Sequence, residues 1–181
     1  MLLAVRASVG AAFPPMLLYH VNFQEEQNVR LYDSQGRMQK SEVRRLQSLL
    51  RCHHSGKRHR IDSRLMQLLY RVSRHYDGRR IEIVSGYRDR RYARTRHSAH
   101  TEGRAVDFQV AGVTHEVLRD FLRTFPNVGV GFYPNSSFVH LDVRDHNAFW
   151  IDYSGPGESA KYSEDPQREL QIERILRAGT R

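Results

Sequence analysis

One cysteine, Cys52, in 181 residues excludes an internal disulfide framework and a zinc site built on paired cysteines. Long apolar runs are missing too: none approaches the ~20 residues a membrane-spanning helix needs, so no transmembrane segment is expected. There is no internal repeat and no low-complexity tract. Acidic side chains are the scarcer sign, 20 against 29 Lys and Arg, and the formal net charge is +9. That surplus points to a polyanionic partner, either nucleic acid or the anionic polymers of a bacterial envelope. A nucleic-acid surface would want aromatic rings interleaved with Lys and Arg. Here Tyr and Phe fall mostly within apolar strand patterns, so no nucleic-acid partner is expected.

What is present suits a soluble globular domain with one sizeable core: 39% hydrophobic and 27% charged residues at this length. The start, MLLAVRASVGAAFPP, is apolar and rich in small residues. It lacks a basic leading region, and Arg6 interrupts its apolar stretch, so an export signal is expected to be missing or incomplete. MLLYHVNF (16–23) and NVRLYDSQGRM (28–38) read as two strands around a QEEQ turn. SEVRRLQSLLR (41–51) reads as a helix capped by Ser41, with Val43, Leu46, Leu49 and Leu50 on one stripe. A second helix over 62–76 buries Leu65, Leu68, Leu69 and Val72, and a third over 114–125 starts at Thr114. RIEIVSGYR (80–88) reads as a strand running into a glycine turn, further strands are expected at 104–110, 128–134 and 137–143, and a terminal helix over 166–177 opens at Pro166. The order of elements predicts an α+β fold, a mostly antiparallel sheet with helices packed on one face. The expected organisation is an N-terminal segment with the first hairpin strand over 1–30, a main domain over 31–155 and a tail over 156–181.

Asp107 is out of place in this pattern. It interrupts the apolar run Ala105-Val106-Asp107-Phe108, and an ionised carboxylate inside a strand is costly unless paired or coordinated. Strand alternation puts Val106, Phe108 and Val110 on one face and Ala105, Asp107 and Gln109 on the other. In 137–143, His140 and Asp142 share the face opposite Val139 and Leu141. If the two strands are neighbours, Asp107 and His140 converge, and His100 reaches them from the preceding loop. Two histidines and one carboxylate with an open position form a catalytic zinc ligand set. The competing reading pairs Asp107 with one of the many arginines. A second cluster, CHHSGKRH over 52–59, offers Cys52, His53, His54 and His59, but its basic neighbours favour an exposed loop.

The segment SAHTEGRAVD (98–107) resembles the Ser-x-His-x-x-Gly-x-Ala-x-Asp motif of the LAS-type zinc peptidases, the group of lysostaphin, D-Ala-D-Ala peptidase and sonic hedgehog. Taken in order, VSGYR, HSAHTEGRAVDF, GVGFYP and SFVHLDV are similar to its YcbK-like branch, that of murein endopeptidase K. The resemblance covers about 30–155. It implies a hedgehog/D-Ala-D-Ala peptidase-like fold and a Zn2+ ion held by His100, Asp107 and His140. It implies an oxyanion-stabilising role for Arg88, substrate contacts from Ser98, Tyr87 and Tyr133, and a backbone bend at Gly103. The activity it implies is metal-assisted hydrolysis of amide bonds in peptidoglycan stem peptides or cross-links, in the periplasm or cell envelope. Many relatives carry an acidic residue three positions before the last histidine, where this chain has Ser137. Asp142, on the strand face of His140, is then the candidate base or the group that orients the ring. The same departure supports an alternative, a non-catalytic zinc-containing wall-binding module.

Overall fold

Two hydrophobic periods organise the chain in the computed structural model, which describes residues 13–93, 97–155 and 157–179. Period two builds the strands β1 (Met16–His20), β2 (Glu25–Val29), β3 (Ile81–Ser85), β4 (Ala105–Val110), β5 (Val128–Phe132) and β6 (Val139–Val143), and a short strand without it, β7 (Ala148–Ile151), completes the set. The helical period builds α1 (Lys40–Leu49), α2 (Ser63–His75), α3 (His115–Leu122) and α4 (Pro166–Gly179). Asp62 accepts from the Arg64 amide at the start of α2, and Thr114 accepts from the Val117 amide at the start of α3. The apolar opening stretch, read for an incomplete export signal, lies largely outside the described residues. Among those described, no helix is long and apolar enough to cross a membrane.

The strands form one mixed sheet in the order β2-β1-β3-β4-β6-β5-β7. The pairs β1–β2, β3–β4, β4–β6 and β5–β6 are antiparallel, while β1–β3 and β5–β7 are parallel. The fold is therefore α+β. Its parallel pairs follow from the connections. After β5, the chain reverses into β6 and reverses again into β7, which docks on the free edge of β5 and so runs parallel to it. Likewise β1 reaches β3 only through β2 and two helices.

One buried cluster joins Leu46 and Leu49 of α1, Leu65 and Leu69 of α2 and Leu118 of α3 to the apolar sheet face. Ile83, Phe108, Val130 and Leu141 are the sheet's share of it. Full burial of each such side chain contributes ~1.5–3 kcal/mol. The opposite face of the central strands is thereby left for polar chemistry.

Three local expectations are corrected. Gln24 takes φ 54° in the first hairpin turn, so Glu25, Glu26 and Gln27 lie in β2 rather than in a QEEQ turn. As an edge strand, β2 can expose Glu26 and Asn28 without cost to the core. Gln39, not Ser41, occupies the N-cap of α1. The strand β7 is an addition to the expected elements: three of its four residues are only partly buried, only Ile151 is buried, and they carry no clean alternation.

Candidate metal centre

Register aligns the site. Across the sheet, Ser85, Asp107, His140, Gly131 and Trp150 stand in one row, each paired with the next. A register shift between Ile83 and Ser85 brings Ser85 opposite Asp107, as irregularities beside active sites often re-aim a side chain. His100 enters from outside the sheet, on the 3-10 turn Ala99–Glu102. Gly103 ends that turn at φ 67°, and a Cβ there would collide with the Arg60 carbonyl. The turn therefore lies close against the 57–61 segment, and the Asp62 amide donates to the Gly103 carbonyl at 2.9 Å.

His100 Nε2, His140 Nδ1 and Asp107 Oδ1 converge. The separations are 3.2 Å between the two nitrogens, 3.2 Å from His100 Nε2 to the oxygen and 2.8 Å from His140 Nδ1 to it. Ligand bonds of ~2.0–2.1 Å in a tetrahedral zinc site set donor atoms roughly 3.3 Å apart, so the triangle is of the right size. All three residues are buried.

The outward hydrogen bonds choose the tautomers. His100 Nδ1–H donates to the Gly86 carbonyl at 2.7 Å, and His140 Nε2–H donates to Asp142 Oδ2 at 3.0 Å. Each ring thus turns its other nitrogen inward, next to a carboxylate oxygen. Three lone-pair donors facing one another in a buried space require a cation between them. Burial opposes charge on His140, but hydrogen bonds to Asp107 and Asp142 outweigh it and raise its pKa to about 9. Burial likewise pushes the Asp107 carboxyl up, yet the charge of His100 and hydrogen bonds to both imidazoles hold it well below the usual carboxylate range. Among the described residues, no other His, Cys, Asp and Glu side chains form such a group.

The remaining predicted residues separate. Arg88 lies beside Asp107, 3.5 Å from its Oδ2 and 3.2 Å from Ser85 Oγ, with its side chain 22% exposed. Arg88, Ser98 and Tyr133 line a cleft of about 1080 Å³ that opens over the triad. Tyr133 accepts from Trp150 Nε1 at 3.1 Å, and burial pushes its phenol up. Tyr87 instead stacks on His59 at 4.6 Å and packs against the core; it does not line the cleft. Asp142 sits behind the His140 ring with both oxygens engaged, one of them by the ring and both by Arg144. Burial would raise its carboxyl; hydrogen bonds from His140 and Arg144 hold it low.

Sequence reasoning missed Trp150, whose ring lies 5.2 Å from that of His140, and Arg144. The signal for Trp150 was the Gly-x-Gly alternation of β5. A Cβ at Gly131 would lie 2.6 Å from Trp150 ring atoms, so the strand is bare where the indole crosses it. The 52–59 cluster forms ring stacks rather than a metal group: His53 on His54 at 4.0 Å, and His54 on Tyr92 at 4.8 Å.

The stretch that holds these residues also matches known proteins. The family of peptidoglycan L,D-endopeptidase MepK matches residues 11–149. The probable peptidoglycan L,D-endopeptidase MepK of Haemophilus influenzae is 32% identical over 112 residues, which are 56% of this chain and 60% of that relative. The peptidoglycan L,D-endopeptidase MepK of Escherichia coli K12 is 31% identical over 148 residues, 76% of this chain and 81% of the relative. No solved structure matches.

Proposed function

This chain belongs to the family of peptidoglycan L,D-endopeptidase MepK, and on that premise we propose that it is a zinc-dependent peptidase of the periplasm or cell envelope. It hydrolyses amide bonds in the peptide stems or cross-links of peptidoglycan, as the names of its relatives indicate. The observation that carries the reading is the inward triangle of His100 Nε2, His140 Nδ1 and Asp107 Oδ1, with both tautomers set from outside. The same reading takes the fold as hedgehog/D-Ala-D-Ala peptidase-like. The antiparallel centre β3–β4–β6–β5, which carries two of the ligands, supports it.

His100, Asp107 and His140 would hold the metal. When bound, zinc supplies Lewis acidity toward a carbonyl and brings the pKa of water toward ~7. The rest falls to the chain's own groups. Arg88 neutralises the second oxygen of Asp107 and turns its guanidinium to the cleft, where it stabilises negative charge developing on the scissile carbonyl oxygen. Asp142 orients the His140 ring and fixes its tautomer, since its oxygens lie behind the ring, on the side away from Nδ1. Ser98 and Tyr133 contact substrate along the cleft. Tyr87 supports the loop through its stack on His59.

Two features favour the second reading, a wall-binding module that keeps the metal without cutting: Ser137 stands where the resemblance implies an acid in many relatives, and Asp142 is fully engaged. A digest of purified sacculi separates the two. Soluble fragments should appear with the metal-loaded protein, cease after chelation and return on adding zinc. Metal analysis of His100→Ala and His140→Ala should show zinc lost. Full stoichiometry in both variants would sink the site. Zinc bound without fragment release would establish the binding module.

A further inference from the structure

We propose that Arg144 is a positioning residue for the metal site, a clamp that keeps Asp142 in the one orientation that turns the His140 lone pair inward. The proposal rests on the reading above of His140 as ligand and Asp142 as its orienter, and goes one residue further out.

Asp142 is 2% exposed in its side chain, and a carboxylate buried to that degree needs donors for both oxygens. The His140 ring supplies one, at Oδ2. Arg144 supplies the rest as a planar fork, Nε to Oδ1 at 2.7 Å and a terminal nitrogen to Oδ2 at 2.5 Å. Among the described residues, nothing else donates to Oδ1. The fork is itself held. The Arg144 amide donates to the Asn127 carbonyl at 3.1 Å, and its guanidinium carbon lies 5.5 Å from the centre of the Trp150 ring.

Space for this clamp comes from β5. Gly129 pairs with Asp142 across the sheet, and a Cβ at that position would run into both Asp142 Oδ2 and the Arg144 guanidinium. The bare strand, the fork and the carboxylate thus occupy one another's room.

The consequence is chemical. With Asp142 pinned, Nε2 keeps its proton, and Nδ1 is the ring nitrogen turned toward Asp107 and His100, the one free to give a lone pair to a metal. Without the fork, the carboxylate can turn about its side-chain bonds to find other donors. The imidazole is then free to flip or to carry its proton on Nδ1, where a metal needs a lone pair. Lysine retains the charge but has no planar fork to pin two oxygens at once.

The test measures zinc affinity of the full chain by competition with a chromophoric chelator. Circular dichroism of each metal-free variant checks the fold. Partners of a metal-ligating histidine are typically worth 10–100-fold in affinity, so Asp142→Asn should fall in that range and Arg144→Gln should lose about tenfold. The double variant should bind no more weakly than Asp142→Asn alone, within about a factor of two, because the clamp acts only through the carboxylate. Arg144→Lys should recover part of the loss, and it carries the test if Arg144→Gln fails to fold. Wild-type affinity in Arg144→Gln, or in Arg144→Lys where that variant stands in, overturns the clamp. So does a double variant whose losses multiply. Unchanged affinity in Asp142→Asn overturns the orienting reading of Asp142 itself, and the clamp with it; affinity lost there but kept in Arg144→Gln removes the clamp alone.

Discussion

Asp107 is surrounded at its two oxygens by different partners, and the difference divides the labour of the site. Oδ1 faces two imidazoles at 2.8 and 3.2 Å. Oδ2 faces Arg88 at 3.5 Å, a longer and looser contact. A guanidinium committed to a structural ion pair would close to the usual 2.7–2.9 Å of a charge-assisted bond. Arg88 keeps reach toward the cleft instead. Arg88→Ala should therefore leave zinc stoichiometry intact and slow turnover on peptidoglycan roughly 100-fold or more, the cost of losing one oxyanion donor. Zinc analysis and rate on the same preparation decide this. A variant that loses its metal, or melts early with normal turnover per folded molecule, would return Arg88 to a purely structural role. The wish of Asp107 for a cation was legible from its place in an apolar run. Which oxygen meets which partner was not, because that depends on side-chain torsions set by neighbours far along the chain.

Strand β5 shows what an element contributes when it has almost no side chains on one face. Its inner residues Val128, Val130 and Phe132 fill the core, while Gly129 and Gly131 leave the other face bare. Trp150 crosses at Gly131, touches the His140 ring and hydrogen-bonds Tyr133. Gly131→Ala would place a methyl 2.6 Å from indole atoms, and overpacking of this kind costs ~1–3 kcal/mol. Urea unfolding should show a loss in that range. The chain has one tryptophan, so its fluorescence reports displacement of the ring directly. An unmoved spectrum with unchanged stability would mean that the indole has room to spare. The helices were easier to read than this strand. Leu46, Leu49, Leu65, Leu69 and Val72 repeat at helical spacing and are all fully buried, since an amphipathic stripe needs only a core to face. The strand β7 carries no such stripe, and its site at the edge of β5 exists only because the chain reverses twice.

At the scale of the whole molecule, the net charge of +9 acts over a longer distance than any contact. Screening shortens that reach to ~10 Å at 0.1 M salt and ~3 Å at 1 M. Association with isolated sacculi should weaken steeply between low and high salt, whereas hydrolysis of a small soluble stem peptide should change much less. Sedimentation of the protein with sacculi, run beside a soluble-peptide assay across the same salt series, checks both. Salt-independent association would assign wall binding to the cleft rather than to the surface charge.

The amino-acid sequence by itself determined the helical faces, the alternation in 104–110 and 137–143, and the identity of His100, Asp107 and His140 as a candidate set. Each follows from local period or from a short motif, where one residue constrains its neighbours within a few positions. Only the tertiary structure decided the mixed sheet order, the engagement of Asp142 by Arg144, the departure of Tyr87 from the cleft and the arrival of Trp150 beside the His140 ring. These depend on which strands become neighbours. Pairing Asp107 with His140, and His140 with Gly131, joins segments remote along the chain. Loop lengths and core packing select that register, and no local pattern encodes it.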